Sequence, residues 1–204
     1  MATQKSRQTK KSAFDIIAVA SSAGGLKALE VLLSTMPKDL EIPIVIVQHL
    51  DPRHQSLMAK IVSRHTPLKV KEAEDGEKLQ GGTVYIAPPN NHLLVNTDFT
   101  LSLSHSELVH FLRPSADLLF ESVAASYKDR AIAVVLTGTG SDGAMGITAI
   151  KKLGGTVIAQ DEETSDFFGM PGGAIRTGNV DFILPLDEIG PALVSLVRGE
   201  EEVE

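Results

Sequence analysis

Short runs of apolar residues recur along this chain. Between most of them lie stretches in which apolar positions return every three or four residues. The runs at residues 14–20 (Phe-Asp-Ile-Ile-Ala-Val-Ala), 43–48 (Pro-Ile-Val-Ile-Val-Gln) and 131–136 (Ala-Ile-Ala-Val-Val-Leu) are continuous rather than alternating. Such runs predict strands buried on both faces, as in a parallel sheet. Shorter strands are predicted at 69–73, at 83–87 before Pro88-Pro89, at 156–160 and at 180–184. Residues 92–95 and 99–103, separated by Asn96-Thr97-Asp98, read as a β-hairpin. Helical periodicity covers 22–34, 54–64, 115–127, 144–153, 172–177 and 186–197. The helix at 115 starts from a Pro114-Ser115 boundary, and the one at 144 stops at Gly154-Gly155. Strands alternating with helices imply an α/β fold, a mostly parallel sheet with helices on both faces.

Each long run ends in a residue capable of chemistry. The first leads into Ser21-Ser22-Ala23-Gly24-Gly25, the second into His49, and the third into Thr137-Gly138-Thr139-Gly140-Ser141-Asp142-Gly143. Open α/β sheets bind ligands outside the carboxyl ends of their strands. If the three strands are neighbours, a Ser, a His and an Asp share one edge, which is the raw material of a serine hydrolase. Ala20 to Gly24 forms a small-x-Ser-x-Gly pattern centred on Ser22, resembling a nucleophile elbow. Centring on Ser21 instead places bulkier Val19 before it and Ala23 after it. The same Ser also reads as a helix N-cap, and the turn as a phosphate-binding loop, although it does not make G-x-G-x-x-G. Of six His, only His49 directly ends an apolar strand. A neutral imidazole there accepts a serine proton if its other nitrogen is held. Asp142, on a Gly-rich loop, is the best orienter, with Asp51, Asp117 and Asp161 as weaker rivals. The order Ser, His, Asp departs from the α/β-hydrolase order and argues against that topology.

Composition narrows the classes. A chain of 204 residues fits one domain with a sizeable core. The net charge of −7 and the absence of Trp argue against nucleic acid as a partner. With no Cys there are no disulfides, thiolate metal sites or cysteine nucleophiles. No metal-spaced cluster such as H-E-x-x-H appears, so neither a metal nor a cofactor is expected. No apolar run approaches the roughly 20 residues of a membrane span, and no signal peptide is visible. The expectation is a cytoplasmic protein with no direct membrane insertion. Residues 1–13 are expected to be a disordered basic tail, 14–197 the catalytic domain, and 198–204 an acidic tail.

Six motifs then occur together in order: Ala20-Ser21-Ser22-Ala23-Gly24-Gly25, Gln48-His49, Ile86-Ala87-Pro88, Arg113-Pro114-Ser115-Ala116-Asp117, Leu136 to Gly143, and Phe168-Gly169-Met170-Pro171. Together they resemble the catalytic domain of the chemotaxis methylesterase CheB family, over nearly the whole chain. The resemblance implies a three-layer α/β/α sandwich with a mainly parallel sheet of about seven strands plus a β-hairpin. It implies hydrolysis of glutamyl methyl esters on methylated chemoreceptor cytoplasmic helices, with methanol released, and deamidation of certain receptor glutamines. By motif, Ser22 is the nucleophile, His49 the base and Asp142 the orienting carboxylate. Backbone groups near Ala23 and Gly24 would hold the oxyanion, with Gly25 and Thr139 shaping that pocket. The family usually has Gly and Thr where Ala20 and Ala23 stand, and often Met where Thr139 stands. These differences fall on the oxyanion pocket rather than on the three catalytic residues.

Arg113 is expected either to attract the acidic receptor region or to form a structural salt bridge at a helix start. Met170 either lines the cleft or packs in the core, and Phe168 is expected to pack. Family members usually carry an N-terminal receiver domain. Here only residues 1–13 precede the first strand, and the initial Met favours a complete chain. The competing readings are a non-catalytic phosphate-binding α/β module and a relative that binds receptors without hydrolysing them.

Overall fold

The three long apolar runs form the three central strands of one parallel sheet. The computed structural model describes residues 12–49 and 57–199. In chain order the elements are β1 (Ile16–Ser21), α1 (Gly25–Ser34), β2 (Ile44–Gln48), α2 (Met58–Val62), β3 (Lys69–Glu72), β4 (Thr83–Ile86), β5 (His92–Val95), β6 (Leu101–Ser104), α3 (Ala116–Tyr127), β7 (Ala131–Val135), α4 (Ala144–Lys152), β8 (Thr156–Gln160), α5 (Gly169–Arg176), β9 (Phe182–Leu184) and α6 (Leu186–Arg198). The seven-stranded sheet runs β3-β4-β2-β1-β7-β8-β9, and every pair in it is parallel. β5 and β6 form the separate antiparallel hairpin.

Strand alternation sorts the core into two layers. Ile16, Ala18 and Ala20 of β1, with Val45 and Val47 of β2, face α3, α4 and the hairpin. Ile17, Val19, Ile44 and Ile46 face α1, α2 and α6. Covering both faces is why these strands read as unbroken apolar runs. The α3–α4 pair packs closely because position 146 is Gly. A Cβ there would sit 2.7 Å from Phe120 Cβ and 2.8 Å from the Asp117 carbonyl oxygen.

Several boundaries differ from expectation for local reasons. α1 begins at Gly25, because Gly24 takes a left-handed conformation (φ +77°) as its N-cap. Ser22 is therefore not the cap of this helix. α5 begins at Gly169 rather than 172, with Pro171 in its first turn, where the missing N–H breaks no helical bond. β6 starts two residues late, because the turn closes through Phe99 N to Asn96 O (2.9 Å) with Phe99 left-handed. The expected tails, His54, Asp51 and the first turn of the helix expected at 54–64 lie wholly or largely outside the described residues.

Candidate active site

Parallel register aligns the ends of β2, β1 and β7. Ser21 pairs with Gln48, and Ala20 pairs with Val135. The backbone ladder then runs one residue past the strands. His49 N–H donates to Ser21 O (3.1 Å), and Ser22 N–H donates to Thr137 O (3.0 Å). Ser22 thus lies in the row between the segment carrying His49 and the loop carrying Asp142. The adjacent central strands bring all three to one sheet edge.

His49 Nε2–H donates to Asp142 Oδ2 at 2.8 Å, with the two side chains 12% and 1% exposed. The imidazole Nδ1 has no protein partner among the described residues. Asp142 accepts three further bonds. Ala116 N–H donates to Oδ2 (2.6 Å), while Ser115 Oγ (3.0 Å) and Asp117 N–H (3.1 Å) donate to Oδ1. The carboxylate therefore occupies the N-terminus of α3, where the free amides and helix dipole favour an anion. Burial works to raise its pKa. The bonds from His49 and the Ala116 and Asp117 amides outweigh it and hold the carboxyl below its ordinary value.

The two serines are in different environments. Ser21 is fully buried, and its Oγ donates to Gln48 Oε1 at 2.5 Å. Ser22 is partly exposed beyond the strand end. Gln48 Nε2 in turn donates to the carbonyls of Ser22 (2.7 Å) and His49 (3.1 Å), so one amide ties both segments together. Gly25 makes room for it: a Cβ there would lie 2.0 Å from Gln48 Oε1. The amides of Ala23 and Gly24 donate to no protein group among the described residues. They sit at the open N-terminus of α1, where free amides and the helix dipole favour an anion.

Thr139 is exposed on its loop. Met170 is 1% exposed and its N–H donates to Gly138 O (2.8 Å). A Cβ at Gly138 would meet Met170 Sδ at 2.4 Å and Ser22 Cβ at 2.8 Å. Met170 is thus a core residue beneath the Ser22 and Gly138 segments, not an exposed cleft wall. Phe168 packs against Gly172.

Among the described residues Arg113 forms no salt bridge. Its guanidinium donates to Asn90 Oδ1 (2.9 and 2.7 Å) and to the carbonyls of His105 (2.9 Å) and Ser106 (2.8 Å), so it clamps a loop. The rival carboxylates are engaged elsewhere. Asp161 accepts from Thr164 N–H and Oγ1, and Asp117 accepts from Gly146 N–H of α4 at 2.8 Å.

Sequence reasoning missed three side chains that build this site: Gln48, Ser115 and His92. His92 is fully buried. Its Nδ1 accepts from Ser115 N–H (3.2 Å) and its Nε2–H donates to Glu107 O (3.1 Å), which fixes the tautomer. The available signals were an amide closing an apolar strand beside His49 and a Ser at a helix start. Among the described residues, no group of three His, Asp or Glu converges as a metal site. A cleft of about 640 Å³ between β9 and α6, lined by Phe182, Leu184, Asp187, Glu188, Pro191 and Leu196, contains none of the residues Ser22, His49 and Asp142.

Known proteins match this arrangement. The CheB methylesterase family model matches residues 17–193. A Leptospira interrogans (serogroup Icterohaemorrhagiae, serovar copenhageni) protein is 43% identical over 189 residues, spanning 93% of this chain and 98% of that one. The protein-glutamate methylesterase/protein-glutamine glutaminase of Geobacillus kaustophilus is 44% identical over 186 residues, 89% of this chain and 53% of that protein. The crystal structure of the Thermotoga maritima CheB methylesterase catalytic domain superposes with a TM-score of 0.87 at 40% identity, covering 90% of this chain and 99% of that one. With a family-model match over residues 17–193 and the same seven-stranded parallel sheet, the chain belongs to the CheB methylesterase family.

Proposed function

We propose that this protein is a serine hydrolase that removes methyl groups from glutamyl methyl esters of chemoreceptor cytoplasmic helices. The hydrogen bond from His49 to Asp142, which lie beyond the ends of the two strands flanking β1, with Ser22 just past the end of β1 itself, carries this reading. Ser22 Oγ attacks the ester carbonyl while His49 takes its proton at Nδ1. The amides of Ala23 and Gly24 hold the oxyanion, each such donor being worth roughly 3 kcal/mol to the barrier. The C–O bond to the methoxy group breaks, and His49 returns the proton to release methanol. Water, deprotonated by His49, then cleaves the acyl-enzyme, leaving a glutamate carboxylate and free Ser22. An amide in place of the ester takes the same route with ammonia as the leaving group, which extends the activity to receptor glutamines. Asp142 stays ionised throughout and orients the imidazole.

Methanol release from methylated receptor membranes tests this. Ser22→Ala is expected to abolish release without unfolding the protein. Ser21→Ala is expected to retain turnover but lose about 1–3 kcal/mol of stability, because Gln48 Oε1 loses its donor. The opposite pattern would overturn the choice of nucleophile. A serine-directed fluorophosphonate probe separates this reading from a phosphate-binding module. Labelling of Ser22 that depends on His49 is expected, and phosphate binding without labelling would defeat it.

A further inference from the structure

Residues 109–112 form a tight two-residue hairpin: Val109 N–H donates to Leu112 O (3.1 Å) and Leu112 N–H donates to Val109 O (2.8 Å). Its tip residues, His110 (φ +48°) and Phe111 (φ +66°), are both left-handed. Such turns favour Asn-Gly, and a bulky residue there is a conformational outlier. Phe111 is also 92% exposed, the highest value among the exposed large apolar side chains of the described residues. The tip thus bears a backbone cost, and the aromatic ring returns no core burial to the free protein. An outlier of this kind points to a role outside folding.

Hydrogen bonds tie the segments beside the hairpin to the site. Arg113 clamps the hairpin's base through Asn90 and the carbonyls of His105 and Ser106. A line of hydrogen bonds also connects it to the site: Glu107 O to His92, His92 to Ser115, and Ser115 to Asp142. Phe111 is four residues from Ser115, so their Cα atoms lie within about 14 Å. Leu108, immediately before the hairpin, is 52% exposed. Met145, just past Asp142, is 64% exposed, and Phe167, whose carbonyl accepts Gly138 N–H (2.9 Å), is 47% exposed. Exposed apolar groups therefore gather on segments bonded to the site.

We propose that Phe111, supported by Leu108, is the docking element for the methylated receptor helix; this rests on the methylesterase reading above. The chemistry fits the substrate. A glutamyl methyl ester is neutral and ends in a methyl group, whereas the product is a carboxylate. On a chain of net charge −7, an apolar contact receives the neutral ester and gives no added hold to the anionic product. A basic patch would retain that product.

The test compares the unaltered protein with Phe111→Ala and with the double variant His110→Asn, Phe111→Gly. Methanol release is measured across concentrations of methylated receptor membranes, together with co-sedimentation on those membranes and thermal melting. KM is expected to rise at least about tenfold, as for loss of an aromatic hot spot, with kcat changed far less and co-sedimentation weakened in parallel. The double variant is expected to melt at or above the unaltered protein, because the turn strain is relieved. An unchanged KM in both folded variants would overturn the docking role. If the unaltered protein released no methanol, the methylesterase reading would fail, and co-sedimentation would still decide the docking. Binding that depends on Phe111 supports it; binding that is absent or indifferent to Phe111 overturns it.

Discussion

Asp142 accepts four hydrogen bonds, which fills the acceptor capacity of a carboxylate. An amide has one acceptor oxygen and presents an NH₂ to donors on its other side. Asp142→Asn is therefore expected to lower kcat on the order of 10⁴-fold, less than the roughly 10⁶-fold expected for loss of His49. Methanol-release kinetics check this, and a near-normal rate would remove Asp142 from the mechanism. Because its folded pKa lies below the ordinary 3.8, Asp142 adds stability that is complete above that value. The contribution is lost as pH falls through the depressed one. Asp117 behaves oppositely. Burial first, then the nearby Asp142 charge, raises its pKa against the pull of the Gly146 amide. The folded state thus takes up a proton there more readily than the unfolded chain, and the charged form costs stability at neutral pH. Asp117→Asn keeps an acceptor for Gly146 N–H, so it is expected to match or exceed the parent's melting temperature at pH 7. That margin should shrink as pH falls through the raised value, which melting curves at a series of pH values will show. A margin that grows on acidification would contradict the assignment.

At the scale of elements, α3 and α4 cap one another. Asp142, just before α4, takes the first amides of α3, and Asp117, in the first turn of α3, takes an amide of α4. Neither start has a capping bond from its own N-cap side chain. The exchange depends on the close approach that Gly146 permits. Gly146→Ala forces a Cβ against Phe120 and the α3 backbone, an overpacking expected to cost about 1–3 kcal/mol. In a chain of this size that is a drop of roughly 2–4 °C in Tm per kcal/mol. Because the same displacement moves the carboxylate from His49, kcat is expected to fall with it. A fall in Tm with kcat intact would show that the site does not feel the helix spacing.

Over the whole molecule, the sheet separates stability from chemistry. At the amino ends of β1 and β7, Arg130 pairs with Asp15 and its guanidinium also donates to Ser12 O (2.6 Å). Both side chains of the pair are about a third exposed, at 31% and 41%, so the pair is worth at most about 1 kcal/mol. Arg130→Ala is expected to lower Tm slightly and leave methanol release unaltered. A loss of activity would reveal coupling along the strands. The carboxyl ends hold Ser22, His49 and Asp142, on segments just beyond the strands rather than within the sheet.

Burial on both faces of a parallel strand leaves a continuous apolar run, and the residue that breaks it is conspicuous. For that reason β1, β2, β7 and the polar residues at their ends were legible in order along the chain. The glycines around them were legible too, though Gly25 serves the Gln48 side chain rather than a turn. Sequence by itself therefore determined the elements and the chemical groups at their tips. Their pairing was not local: His49 and Asp142 are 93 residues apart, and the reciprocal capping of α3 and α4 leaves no spacing signal. Arg113 advertised charge, yet it folds into a clamp because two loop carbonyls and Asn90 lie within its reach. A polar residue announces that it needs a partner, but strand order and helix approach choose which one. Only the tertiary structure decided that choice, and with it which nitrogen of His49 is bonded to Asp142.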